Sequence, residues 1–232
     1  MLTFRPAGSR GHNNFGWLDT WHSFSFGEYH DPAHMQFRAL RVINEDRVQP
    51  GQGFGTHGHQ EMEILTWVLE GALAHEDSMG HRSALKPGSA QAMSAGTGIT
   101  HSEFNGSATD LLHLLQIWIL PGTPNLTPRY QELAFPDPEL RNRLRLIASP
   151  DQAEGSVLIQ QDVRIHVARL DAGKTVQHTF RPGRHGYLQV ARGALELNGR
   201  AMAAGDGAAL TQEAAATLTA TAAAEVLLFD LA

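Results

Sequence analysis

The chain contains no cysteine, and only two of its 232 residues are lysine, Lys86 and Lys174. Without thiols there can be no disulfide, thiolate zinc site, iron–sulfur cluster or cysteine nucleophile. No apolar run approaches the roughly 18 residues of a membrane span. Residues 1–14 (MLTFRPAGSRGHNN) lack the apolar stretch of a signal peptide. We therefore expect a cytoplasmic protein with no membrane partner. Charge is also sparse, at 18% of residues with a net charge of −6. That balance gives little grip on phosphates, so no nucleic acid is expected as a partner. The 42% hydrophobic content is that of an ordinary globular chain of one or two domains. Histidine is abundant: there are 13, ten of them within residues 1–116.

Helical periodicity is weak. Short apolar runs at 38–43, 63–69 and 111–120 are rich in Ile, Val, Leu and Trp and are bounded by Gly, Pro, Asp or Asn, as strands are. Similar runs follow at 157–161, 164–170, 187–190, 194–197 and 226–230. Residues 201–224 hold 12 alanines, which favour a helix. Gly205, Gly207 and scattered threonines favour turns and strands instead, and that reading is preferred. Residues 121–150 contain six of the 11 prolines and read as an ordered linker with a short helix near 138–146. The segment VLEGAL at 68–73 is echoed by VARGAL at 190–195, which implies two copies of one domain. The expected fold is all-β, with two tandem antiparallel β-barrels or jelly rolls. Residues 1–120 would form the N-terminal barrel, 121–150 the linker and 151–232 the C-terminal barrel.

The chemistry concentrates in two segments, 51–63 (GQGFGTHGHQEME) and 96–105 (GTGITHSEFN). Strand residues i and i+2 share a face, so His57 and His59 would lie side by side, as would His101 and Glu103. On neighbouring strands the two pairs offer one ion three imidazoles and one carboxylate. A His-x-His pair alone is weak evidence, since chance supplies about 0.7 in a chain this rich in histidine. The flanking Gly51, Gly71, Gly98 and Asn105 strengthen it. Such a ligand set suits Fe, Co, Ni, Mn, Cu or Zn without choosing among them. It leaves two positions of a six-coordinate ion for substrate or dioxygen.

These spacings resemble the two motifs of the cupin superfamily. There are two departures: seven residues separate Glu63 from Gly71, and Gly96 stands where the second motif has proline. The first departure leaves Glu103 as the natural carboxylate. With HNNFGWLD at 12–19 and WHSFSF at 21–26, the chain resembles the pirin family over its whole length, and within it the bacterial quercetin dioxygenases. The resemblance implies a mononuclear metal on His57, His59, His101 and Glu103, with iron the first expectation. It implies dioxygen-dependent cleavage of the heterocycle of flavonols such as quercetin. Glu103 would take the proton of the 3-hydroxyl as general base. The alternative that the resemblance also allows is a non-catalytic metal or redox sensor that binds a protein partner. A monomer or weak homodimer is expected.

Other residues carry bland readings beside functional ones. Phe54, Met62 and Met93 read as barrel core or as pocket walls. His113 reads as a hydrogen-bonded barrel histidine, and His22, His30 and His34 as surface or supporting residues. Glu61 and Glu63 read as a solvated strand end or as partners of a ligand's second nitrogen. In the C-terminal copy, Thr179 and Arg181 occupy the places of His57 and His59, so that barrel is expected to lack metal ligands.

Overall fold

The computed structural model describes residues 1–232. It is nearly all β, as expected, with two β-barrel units. No helix is long and apolar enough to cross a membrane. The N-terminal unit comprises residues 11–134 and 157–161; the C-terminal unit comprises 1–10, 135–156 and 162–232.

The N-terminal barrel contains β2 (Gly11–Asn14), β3 (Leu18–His22), β4 (Leu40–Val48), β5 (Gly53–His59), β6 (Glu63–Glu70), β7 (Leu73–Asp77), β8 (Arg82–Leu85), β9 (Ser89–Ser94), β10 (Ile99–Asn105), β11 (Leu112–Ile119) and β12 (Arg129–Ala134). Two antiparallel sheets build it, ordered β12-β9-β6-β11-β4-β3-β2 and β5-β10-β7-β8. The continuous apolar runs of β6 and β11 are its central strands, buried almost throughout. In β10 burial alternates strictly: Ile99, His101, Glu103 and Asn105 face inward, and Thr100, Ser102 and Phe104 outward.

The C-terminal barrel contains β1 (Leu2–Arg5), the one-turn helix α1 (Asp137–Leu140), β13 (Arg145–Ser149), β15 (Val163–Leu170), β16 (Thr175–Thr179), β17 (His185–Arg192), β18 (Ala194–Leu197), β19 (Arg200–Ala203), β20 (Gly207–Leu210), β21 (Ala215–Ala220) and β22 (Ala224–Leu231). Its larger sheet runs β1-β20-β17-β22-β15-β13, its smaller one β16-β21-β18-β19. The alanine-rich stretch is strands and turns, as preferred from its glycines.

The expected boundaries differ from these units in three places. Residues 1–10 belong with the C-terminal barrel, because β1 pairs antiparallel with β20. The segment 121–150 is more than a linker: β12 pairs with β9 and β13 with β15, and only four of its residues are helical. Residues 157–161, with β14 (Val157–Leu158), belong with the N-terminal unit. There Leu158 N–H donates to Gln131 and Gln160 N–H to Glu63.

Candidate metal centre

β10 lies between β5 and β7, with His101 opposite His57 and Glu103 opposite His75. Between His101 and Glu103 the ladder to β5 slips, so that Glu103 faces Phe54. Such a bulge re-aims side chains, and Gly53 and Gly55 lie in the strand that accommodates it. The outcome is a triangle of imidazoles, with ring centroids 4.8 Å (His57–His59), 4.5 Å (His57–His101) and 4.9 Å (His59–His101) apart. The Nε2 atoms of His57 and His101 are 3.1 Å apart. His57 Nδ1–H donates to the Gly55 carbonyl at 2.8 Å, which leaves Nε2 as a lone pair. Burial, then the neighbouring His57, lowers the pKa of His59 to about 4. Burial, followed by His57 and His59, lowers that of His101 to about 3. At neutral pH both rings are uncharged, as metal ligands must be. Nitrogen donors of His57, His59 and His101 lie within 4.8 Å of one another. This donor set fits a transition-metal ion.

Glu103 belongs to a second group that overlaps the first. Its carboxylate clusters with His75 and His101. Oε1 accepts from Gln91 Nε2 at 2.9 Å and Oε2 from Gln116 Nε2 at 2.8 Å. Burial raises its pKa, opposed first by His75 and then by the Gln91 hydrogen bond.

The two glutamines are part of a polar rung across the larger sheet. His22, Asn44, Gln116, Thr66 and Gln91 are successive cross-strand neighbours on β3, β4, β11, β6 and β9. His22 Nδ1 lies 2.8 Å from Asn44 Oδ1, and Thr66 Oγ1 donates to Gln116 Oε1 at 2.9 Å. One rung away, Thr20 donates to Asp46. Burial pushes the Asp46 carboxyl up to about 7, and Glu103 and Glu45 push in the same direction.

A cavity of about 500 Å³ opens onto these groups, a volume within the range of small-molecule sites. His57, His59 and Glu103 line it, together with Trp17, Phe26, Phe54 and Trp118. Trp118 packs edge-on against His59 at 5.0 Å and Phe26 at 5.2 Å. No lysine or arginine lines it.

The remaining sequence candidates divide. Phe54 lines the cavity, whereas Met62 and Met93 pack with Ile64 and Ile99 in the core. His113 pairs with Glu45 at 3.1 Å, as a barrel histidine. His22 is buried and lines the cavity, which leaves the supporting one of its two readings. His34 pairs locally with Asp31. Glu63 is neither a solvated strand end nor a partner of a ligand histidine. It is buried and accepts from Ser94 and from the Gln160 N–H. Glu61 accepts from the Asn125 N–H. Asn105 ties down the end of β10 by donating to the carbonyls of Val48 and Asp110.

His75 escaped the sequence reading. It is buried, 3.3 Å from Asp77, and stacked on Tyr130 at 4.6 Å. Its signal was the same i, i+2 pairing, His75-x-Asp77, on a strand flanking β10.

The family model for pirin matches residues 3–119, and that for the quercetinase C-terminal cupin domain matches 146–231. The chain belongs to the pirin family. Its two units are thus the two cupin domains of a pirin. It is 46% identical to the quercetin 2,3-dioxygenase of Escherichia coli K12, covering 100% of this chain and 99% of the relative. It is 40% identical to a putative quercetin 2,3-dioxygenase of Pseudomonas aeruginosa, covering both chains fully. The crystal structure of the bacterial pirin YhhW from E. coli in complex with nickel(II) superposes with a TM-score of 0.94 at 46% identity, covering 100% of this chain and 99% of that one.

Proposed function

We propose that this pirin is a metal-dependent dioxygenase that opens the heterocycle of flavonols such as quercetin. The carrying observation is three imidazoles converging beside an aromatic cavity that no lysine or arginine lines. The names of the E. coli and P. aeruginosa relatives support the reading. The nickel(II) complex of YhhW supports a divalent ion, and iron is our choice for the native metal.

His57, His59 and His101 would hold the ion, with Glu103 beside His101 as the fourth ligand. When bound, the metal supplies Lewis acidity toward the substrate's 3-hydroxy-4-keto group and access for dioxygen. The protein residues do the rest. Glu103 accepts the 3-hydroxyl proton on a carboxylate oxygen, and its burial makes it a stronger base than a solvated glutamate. Gln91 and Gln116 fix that carboxylate from either side. Trp118, Phe26 and Phe54 pack against the planar rings and exclude water. The substrate is thus a small aromatic molecule together with dioxygen, and the cytoplasm is our proposed location.

Oxygen uptake with quercetin by the Fe, Co, Ni, Mn and Cu forms tests this. We expect metal-dependent consumption, falling about 10²–10⁴-fold in Glu103→Gln, which keeps the shape but loses the base. Absence of consumption in every form, with reversible redox change of the metal, would favour the protein-binding sensor.

A further inference from the structure

The β3–β4 wall of the cavity carries polar groups that the oxidation chemistry does not use. Asp46 is only 4% exposed and lines the cavity. Thr20 satisfies Oδ1 of its carboxylate, while Oδ2 has no protein partner. That oxygen is not sealed in the core, so its donor must come from whatever fills the cavity. The usual remedy, an arginine or lysine, is missing from the lining, and Glu103 and Glu45 add only like charge. Asn44, two residues earlier on the same face of β4, presents the complementary group. Its Oδ1 faces His22, and its Nδ2 has no protein partner. Acceptor and donor therefore stand about 7 Å apart along one strand, on a wall built by the sheet that does not carry His57, His59 and His101.

An O–H donor brought by the ligand satisfies both observations. We propose that Asp46, assisted by Asn44, is a specificity-determining residue that receives a phenolic hydroxyl of the substrate remote from its 3-hydroxy-4-keto group. The cavity is therefore selective for polyhydroxylated flavonols over the bare ring system. A site built to hydrogen-bond a hydroxyl rejects analogues lacking it, because its own polar groups are then left unpaired. The proposal rests on the flavonol reading above and adds to it the part of the substrate that is recognised.

The test is anaerobic titration of the nickel-loaded full-length chain, followed by quenching of tryptophan fluorescence, since Trp17 and Trp118 line the cavity. Quercetin is compared with 3-hydroxyflavone, which shares the reacting group but lacks the other hydroxyls. Wild-type protein should prefer quercetin by about tenfold or more, the usual cost of leaving a buried polar group without its partner. Asp46→Ala should abolish most of that preference by weakening quercetin binding, with 3-hydroxyflavone affinity within about twofold of wild type. Asp46→Asn, nearly isosteric, guards against a folding failure: it keeps an acceptor for Thr20 but turns an N–H donor toward the phenolic proton, and should lose the preference too. Equal wild-type affinities would overturn the proposal, with no variant needed. So would a variant that weakens both ligands alike or neither. If wild type binds neither flavonol, the flavonol reading itself falls and this proposal with it; binding of both with an unchanged ratio overturns the proposal alone.

Discussion

In the N-terminal barrel, Gly71 turns β6 into β7 with φ 78°; in the C-terminal barrel, Gly193 turns β17 into β18 with φ 74°. A Cβ at Gly71 would lie 2.5 Å from the Leu111 carbonyl oxygen, and one at Gly193 1.8 Å from that of Ala223. The same turn thus solves the same problem twice. The sheets behind the turns share a register but differ in content. Asn44, Gln116, Thr66 and Gln91 form one rung of the N-terminal sheet. The matching rung of the C-terminal sheet is His166, Leu228, Leu188 and Ala208. The last three belong to one continuous apolar core with Val190, Leu195, Leu218 and Val226. Apolar side chains close on each other and fill a barrel. Amides held by His22, Thr66 and the Glu103 carboxylate keep its walls apart and leave room for a ligand. Near the place of the His57–His59 pair, His178 is turned to Asp230 at 2.7 Å, and Arg184 pairs with the same carboxylate.

The largest effect that could break this comparison is loss of metal. His57→Ala/His59→Ala should take metal content from about one ion per chain to near none, because a single carboxylate and one imidazole hold a divalent ion poorly. His166→Ala/His178→Ala, which removes two histidines from the other barrel, should leave it unaltered. Elemental analysis of the three proteins after identical loading decides. Equal loss in both variants, or two ions in wild type, would end the division of labour.

Next in size is the shared turn. Alanine at Gly71 or Gly193 meets both a disfavoured left-handed backbone, which costs about 1–3 kcal/mol, and a carbonyl oxygen. The closer approach at Gly193 makes Gly193→Ala the more damaging. Urea unfolding of the two variants measures this. A smaller loss at 193 than at 71 would show that the turns bear different loads.

Much of this was legible because strand periodicity is local. The alternation in residues 96–105 places His101 and Glu103 inward with no knowledge of the fold, and VLEGAL against VARGAL marks the duplicated turn. What escaped is non-local. Nothing in residues 2–5 says that they pair with 207–210. Asn44, Thr66, Gln91 and Gln116 lie on four separate strands, and only the register makes them a row. The turn-rich segment around His22 does not separate a surface place from a supporting one; pairing with β4 carries it into the cavity. His75 was one more inward-facing pair on a strand whose neighbour could not be known. The prolines of 121–150 hid two strands, since proline marks where the chain turns and says little about the stretches between.

The smallest expected effect concerns the one titratable group left on the C-terminal rung. His166 Nδ1 is buried with no partner, and its ring lies 4.9 Å from that of His178. Burial, then His178, lowers its pKa from 6.5 to about 4. Above pH 6.5 the ring is neutral whether the chain is folded or not, and it contributes no pH dependence. Below that value the unfolded chain takes up a proton that the folded barrel refuses. Stability therefore falls as pH drops from 6.5 toward 4 and then levels off. At 1.36 kcal/mol per pH unit, the loss is about 2 kcal/mol by pH 5. His166→Leu continues the Leu228–Leu188 row and removes the proton site. In metal-free protein, where the ligand histidines add the same background to both chains, it should change stability by less than about 1 kcal/mol at pH 7. At pH 5 it should raise stability by about 2 kcal/mol relative to wild type. Chemical unfolding at the two pH values reads the difference directly. A gain that is the same at both would mean that His166 is charged or solvated in the folded barrel, and that the C-terminal lumen is less completely filled than its apolar row indicates.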